Sequence, residues 1–290
     1  MDVSVDAATR VVALLGDPVE HSLSPRIHNS AFAAERLNFV YIALKISALQ
    51  IEEAVRGLRA LNFAGANVTA PYKQAVIPAL DRLSVQAAQV GAVNTIVCKP
   101  HPETGEIEMV GDNTDVAGFL EPLRTFAEKL RGKPMVVFGG GGAARAVAYA
   151  LLTALQPESL TLAARTPERA RTIVEDLTPV DENHVLSVQP IDEARGAVRS
   201  SVLIVNATTL GTYPRFEVSP WPHANDFSPE QIVYDLVYNP ENTRLLREAA
   251  SGGATTLGGL EMLIAQAAMA FEQWTGHAMP ADVVRKALRS

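Results

Sequence analysis

Residues 135–152 read "MVVFGGGGAARAVAYALL": four apolar residues, four glycines, then small and apolar residues at helical spacing. A strand that runs into glycines and out again into a helix is how a dinucleotide-binding βαβ unit opens. Gly139-x-Gly141-x-x-Ala144 fits the G-x-G-x-x-G/A pattern. Glycine has no Cβ, so a pyrophosphate can approach the backbone N–H groups at the helix N-terminus, where the dipole favours anions. A glycine match alone also fits a turn built only for tight packing. The strand before it and the helix after it are what point to a dinucleotide.

The next strand tests which dinucleotide. NAD sites place an Asp or Glu at its end, roughly 20 residues on, for the ribose 2′-OH. Here the chain reads "LAARTPERAR", so Ala164, Arg165, Thr166 and Arg169 supply a hydroxyl and two guanidiniums and no carboxylate at the strand end. Guanidinium suits the extra phosphate of NADP through charge-assisted, often bidentate bonds. Glu168 falls in the first turn of the following helix, where the helix dipole explains it. A solvated helix start is the bland reading of the two arginines.

Outward from this core, short β-branched runs alternate with helical patterns. Upstream, 10–16 reads as a strand, 24–38 as a helix with Ser24 as N-cap and Pro25 at its first position, 39–46 as a strand and 48–61 as a helix. "GANVTA" is a short strand, 74–90 a helical piece, and "NTIVCK" and "EIEMVGDN" are strands joined by a hairpin-type turn at 102–105. A second unit starts with a helix at 116–130 and continues through "PMVVFG", "SLTLAAR", 201–208 and 231–237 as strands with helices between. The chain ends in helical patterns at 257–276 and 280–289. Strands alternating with helices imply an α/β fold with a mainly parallel sheet, doubly wound in the second unit.

Composition narrows the function. The chain has 290 residues, enough for two small domains. Its net charge of -7 has no concentrated basic stripe, which speaks against nucleic acid. The one cysteine, Cys98, reads as a buried strand residue and cannot form a disulfide within the chain. The six histidines show no metal-ligand spacing, so no metal is expected. No apolar stretch approaches the roughly 20 residues of a membrane span. The acidic, polar first residues are unlike a secretory signal, so the expectation is a soluble, cytoplasmic protein.

Several polar residues stand out in the first unit. Ser22 and Ser24 in "HSLSP" precede a helix, where two hydroxyls suit a carboxylate, although capping alone explains Ser24. In "GANVTAPYK" (65–73), Asn67 and Thr69 share one side of an extended segment. Lys73 emerges at the carboxyl end of a strand, where ligands of open α/β sheets lie. With Asn94 in "GAVNT", and Asn113, Thr114 and Asp115 in "GDNTDVAGF" at the junction of the units, these residues together put one amine and one carboxylate near a domain boundary. Singly, each fits a turn or cap.

In this order, "SLSP", "GANVTAPYK", "GAVNT", "GDNTDVAGF", "GGGGAARA", "ART", "NATTLGTYP", "YDLVYNP" and "GGLEMLIAQAA" resemble shikimate dehydrogenase, across nearly the whole chain. The resemblance implies reversible NADPH-dependent reduction of 3-dehydroshikimate to shikimate, in the chorismate and aromatic amino-acid pathway. It implies that Ser22 and Ser24 bind the substrate carboxylate. Thr69, Asn94, Asp115 and Gln266 would hold the ring hydroxyls, with Tyr238 and Asn67 nearby, and Lys73 and Asp115 would be the catalytic pair. Gly139, Gly140, Gly141, Gly142 and Ala143 would cradle the pyrophosphate. Ala164, Arg165, Thr166 and Arg169 would hold the adenosine 2′-phosphate end, and Leu236 and Gly259 would approach the nicotinamide with Met262 beside them. The implied fold is two-lobed: an N-terminal α/β substrate domain over 1–115, completed by C-terminal helices in 258–290, and a Rossmann-type NADP domain over 116–257, as a monomer or homodimer.

The chain departs from the family pattern in places. Gly140 stands where Ala is usual, which implies a looser loop, and Ala164 where Asn is common. Thr209 and Thr212 replace Ser and Met, with no site role for Thr212, and Tyr72 replaces Phe, leaving open a hydroxyl in the pocket or in solvent. In the implied mechanism Lys73 gives the proton to the growing alkoxide and takes it back in reverse. Asp115 would orient the ammonium and bond a substrate hydroxyl. The rival readings are a quinate/shikimate dehydrogenase using NAD, which the absent acid near Ala164 disfavours, and a non-catalytic shikimate sensor, which would not need Lys73 and Asp115. A third is an NADP dehydrogenase for another substrate, against which Ser22, Ser24 and Gln266 speak.

Overall fold

The structure, a computed structural model, describes residues 5–289. It divides into two compact units: the residues up to Thr114 together with those from Ile264 onward, and Asp115–Leu263.

The first unit contains β1 (Arg10–Gly16), α1 (Ser24–Ala34), β2 (Phe39–Lys45), α2 (Ile51–Ala60), β3 (Gly65–Val68), β4 (Arg82–Leu83), α3 (Val85–Val90), β5 (Thr95–Pro100) and β6 (Ile107–Asp112). Its sheet runs β2-β1-β3-β5-β6-β4. β1 is parallel to β2 and β3, but β5 is antiparallel to both β3 and β6. The sheet is therefore mainly parallel, with β5 alone reversed. The reason is the turn between β5 and β6, closed by His101 N–H donating to the Glu106 carbonyl at 2.7 Å, which sends the chain straight back.

Three expectations change. α1 stops at Ala34, and Arg36 takes a positive φ of 55° that no helix continues through. The helical piece at 74–90 is a 3-10 turn at Ile77–Ala79, the two-residue β4, and α3. Pro78 withholds a backbone donor there, and Ser84 starts α3 afresh by accepting the Ala87 N–H at 3.0 Å. Ser24 is not an N-cap: Leu23 holds that position, and Ser22 Oγ accepts the Ser24 N–H at 3.2 Å.

The second unit contains α4 (Asp115–Leu120), α5 (Ala127–Leu130), β7 (Met135–Phe138), α6 (Gly142–Ala150), β8 (Leu160–Ala164), α7 (Pro167–Leu177), β9 (Leu186–Pro190), α8 (Arg195–Ser200), β10 (Leu203–Asn206), β11 (Ile232–Asp235), α9 (Arg244–Ser251) and β12 (Thr255–Gly258). The helix expected over 116–130 is broken by a 3-10 segment at Glu121–Phe126, with Pro122 in its first turn. All neighbours in the sheet β12-β11-β10-β7-β8-β9 are parallel. Counted from β7, that order is 3-2-1-4-5-6 read backwards, the doubly wound arrangement. Every residue of β7, β10 and β11 is buried, which is why these strands read as unbroken apolar runs. The chain closes with α10 (Leu260–Thr275) and α11 (Ala281–Arg289).

Within the first unit, the C-terminal half of α10 packs on the sheet. Trp274 Nε1 donates to the Ile96 carbonyl at 3.0 Å. That approach needs Gly65, because a Cβ there would collide with the Ile96 carbonyl oxygen and the Trp274 indole. His28 is fully buried beside them, stacked on Tyr41 at 4.5 Å and 5.2 Å from the Trp274 ring. Neither of its nitrogens has a hydrogen-bond partner, and burial holds its pKa down at about 3.

Two outcomes are expected. Gly65→Ala should destabilise the protein by about 1–3 kcal/mol through overpacking, read as a lower urea midpoint. His28 is neutral in the fold but protonates below about pH 6.5 in the unfolded chain. It therefore contributes stability above that pH, lost as the pH falls towards 3, at up to about 1.4 kcal/mol per pH unit. His28→Leu should flatten the stability–pH curve in that window, and denaturant titrations with the same slope for both proteins would contradict this.

Candidate active site

Asn94 is the centre of a buried polar cluster in the first unit. Its Oδ1 accepts the Thr114 N–H at 2.8 Å and the Thr95 hydroxyl at 3.0 Å. Its Nδ2 donates to Thr114 Oγ1 at 3.0 Å and lies 3.5 Å from Gln266 Oε1. A main-chain N–H can only donate, so the atom facing Thr114 must be the oxygen, and the amide has one orientation.

Asn67, on β3, is the second fixed amide. Its Oδ1 accepts the Tyr41 hydroxyl at 2.8 Å, and its Nδ2 donates to the Asn94 carbonyl at 3.2 Å and Thr95 Oγ1 at 3.1 Å. Both Nδ2 protons are used inside the protein, so Asn67 offers a ligand only its remaining acceptor capacity. Thr69, half-buried, follows β3 with its N–H on the Leu15 carbonyl at 2.9 Å.

The loop beyond it carries Lys73, also half-buried. The Lys73 carbonyl accepts the Val93 N–H at 2.7 Å, which ties that loop to the residue before Asn94. Tyr72 is buried and its hydroxyl donates to the Ile46 carbonyl at 2.6 Å. The extra oxygen thus ties this loop to the end of β2. Asp115, buried, follows Thr114 directly and opens α4. Asn113 is wholly buried and donates to the Ala92 carbonyl at 2.8 Å. Ser22 Oγ donates to Ser24 Oγ at 3.2 Å, so the two hydroxyls stand side by side at the start of α1.

In the second unit the glycine loop lies after β7, beside the point where the strand order reverses, the usual place for a dinucleotide. Gly139 has φ 132°, a conformation L side chains rarely take, and Gly141 is the N-cap of α6 with open space where its Cβ would be. These features fit a pyrophosphate. At Gly140 a Cβ would come within 3.2 Å of the Ala170 nitrogen, so its absence admits α7 closely. At the end of β8, Ala164 is buried, while Arg165, Thr166 and Arg169 are exposed. Glu168 is occupied by Arg171 at 3.0 Å, on the surface of α7. The end of β8 therefore presents cations and a hydroxyl to a ligand, which fits NADP.

The loops after β10 and β11 are held by Asp235, a residue the sequence reading did not single out. Its Oδ1 accepts from Asn206 Nδ2 at 2.8 Å and the Val237 N–H at 3.0 Å, and its Oδ2 from Thr243 Oγ1 at 2.6 Å. Burial pushes its carboxyl up to about 6 against the lowering pull of these donors. The network sets the backbone around Leu236, whose N–H donates to the Asn206 carbonyl at 3.0 Å. Tyr238 is half-buried two residues on, Gly259 N–H reaches the Val237 carbonyl at 3.3 Å, and Met262 is buried on α10. Arg145 was also missed; its buried guanidinium pairs with Asp176 at 2.7 Å and joins α6 to α7. A buried Asp or Arg inside an apolar run was the available signal for both. Thr95 and Tyr41 carried none, because threonine and tyrosine are ordinary strand residues. Among the described residues no group of His, Cys, Asp or Glu is arranged to hold a metal. Cys98 is buried with its thiol pushed up to about 11, so it is not a nucleophile.

Comparison with known proteins bears on all of this. A family model described as the shikimate dehydrogenase substrate binding domain matches residues 14–96, and one for the shikimate 5′-dehydrogenase C-terminal domain matches 259–289. A shikimate dehydrogenase (NADP(+)) of Salinibacter ruber is 53% identical over 288 residues, covering 99% of both chains. A crystal structure of a shikimate dehydrogenase in complex with NADP+ superposes with TM-score 0.87 at 36% identity, covering 99% of this chain and 96% of that one. A quinate dehydrogenase from Corynebacterium glutamicum in complex with NAD gives TM-score 0.85 at 30% identity over 97% of this chain and 99% of that one. Likeness of this extent, running from end to end and through both units, places the chain in the shikimate dehydrogenase family.

Proposed function

We propose that this chain catalyses the reversible NADP-dependent reduction of 3-dehydroshikimate to shikimate, with Lys73 as general acid and base and Asp115 as its partner carboxylate. The observation that carries the residue assignment is a chain of short ties. Val93 N–H holds the Lys73 carbonyl at 2.7 Å, and the next residue, Asn94, holds the Thr114 N–H at 2.8 Å, one residue before Asp115. Three motifs far apart in sequence are thereby anchored to one another.

When bound, the cofactor supplies the hydride to the carbonyl carbon and accepts it in the reverse direction. The oxygen left behind needs a proton, which the Lys73 ammonium donates; in oxidation the Lys73 amine removes it from the hydroxyl. Asp115 orients that ammonium and accepts from a ring hydroxyl. Ser22 and Ser24 take the substrate carboxylate, while Thr69, Asn94 and Gln266 take ring hydroxyls, with Asn67 and Tyr238 nearby. Buried polar groups of this kind select against a ring that lacks their partners. Gly139 to Ala143 take the pyrophosphate, Arg165, Thr166 and Arg169 the 2′-phosphate beside Ala164, and Leu236, Gly259 and Met262 the nicotinamide end. The same reading places the enzyme in the cytoplasm, as a monomer or homodimer. No helix among the described residues is long and apolar enough to cross a membrane.

The alternative is use of quinate with NAD, which the quinate dehydrogenase likeness keeps open for the substrate. The cationic end of β8 favours NADP. Initial rates for shikimate and quinate, each with NADP and NAD, decide between them; shikimate with NADP should be fastest. Lys73→Ala should lower kcat by about 100-fold or more with a smaller change in shikimate binding. Turnover near that of the unmodified enzyme would remove Lys73 from the mechanism. Arg165→Ala should weaken NADPH far more than NADH, and equal losses would show that it does not read the 2′-phosphate.

A further inference from the structure

We infer that Thr95 is a positioning residue for substrate recognition, the hydroxyl that joins the two fixed amides into one cradle. It lies wholly inside the protein at the first position of β5. Its single Oγ1 accepts from Asn67 Nδ2 at 3.1 Å and donates to Asn94 Oδ1 at 3.0 Å, with Thr114 Oγ1 3.2 Å away. The Tyr41 hydroxyl closes one end by donating to Asn67 Oδ1, and Gln266 stands at the other, 3.5 Å from Asn94 Nδ2.

Two links have a set direction. The Asn94 carbonyl must face Asn67 Nδ2, and the Thr114 N–H must face Asn94 Oδ1. Thr95 sits where a donor arrives from Asn67 and acceptors stand on the other side, so its proton goes to Asn94 Oδ1 or to Thr114 Oγ1. The donors and acceptors that Asn94 and Gln266 offer a ring hydroxyl are therefore decided before substrate arrives. Such preorganisation acts on binding through neighbours, without contact between Thr95 and the substrate. Its consequence is selectivity for the hydroxyl pattern of the ring, because a mispaired polar group in a buried cluster is costly.

This inference rests on the reading that Asn94 and Gln266 hold ring hydroxyls. Thr95→Val keeps the shape and removes the hydroxyl; Thr95→Ser keeps the hydroxyl. Thr95→Val should raise KM for shikimate by about 10-fold, the worth of one net hydrogen bond, with a smaller fall in kcat and an unchanged KM for NADP. Thr95→Ser should stay within about twofold of the unmodified enzyme. An unchanged shikimate KM in Thr95→Val, a parallel rise in KM for NADP, or a Thr95→Ser variant as impaired as Thr95→Val would overturn the inference. If Thr95→Val does not fold, Thr95→Cys, a weak hydrogen-bonder of similar size, gives the same reading. Absence of shikimate turnover in the unmodified protein would instead overturn the proposed function, and this inference with it.

Discussion

A buried amide cannot be left to choose its own orientation. Asn94 sits in the first unit with almost no exposure, so its amide needs hydrogen-bond partners set around it. Meeting them draws in Thr95 from the same strand start, Thr114 from beyond β6, and Gln266 from α10. Those ties bring together segments up to 172 residues apart in sequence.

The cluster depends on apolar packing around it. α10 reaches the sheet because Gly65 leaves room for Trp274 to hydrogen-bond the Ile96 carbonyl. Gln266 is carried on that helix, so a missing Cβ on β3 helps decide where a polar group on the last long helix lies. His28, Tyr41 and Phe271 fill the space beside Trp274 with stacked rings. In the second unit the equivalent organiser is Asp235. Its carboxylate joins the ends of β10 and β11 to the N-cap of α9, and so shapes the backbone on the side of the sheet where dinucleotides bind.

Local patterns were legible where one rule dominated. The strand–glycines–helix run at 135–152 and the absence of an acid after β8 both survive in the structure, because backbone access and charge are local matters. β1 was read to the residue for a similar reason, a buried strand bounded by glycine. Legibility failed where elements were short or half-polar. β9 and β12, at the sheet edges, are mostly only partly buried, and α8 spans only six residues. At 74–90 apolar spacing suggested a helix, but Pro78 and a pairing with β6 took over. Ser24 looked like a cap, yet it is the first residue of α1 and its own N–H goes to Ser22 Oγ.

The sequence by itself determined the α/β class, the doubly wound second unit, the NADP-type end of β8 and, through its ordered motifs, the family. These follow from periodicity, glycine placement and residue chemistry, which are properties of neighbours along the chain. Only the tertiary structure decided that β5 pairs antiparallel with β3, that the Tyr72 hydroxyl donates to the Ile46 carbonyl, and that Thr95 and Asp235 organise polar clusters. A hydrogen bond between residues tens of positions apart leaves no trace in local pattern. It exists because burial forbids an unpaired polar group, and burial is known only once the chain has folded.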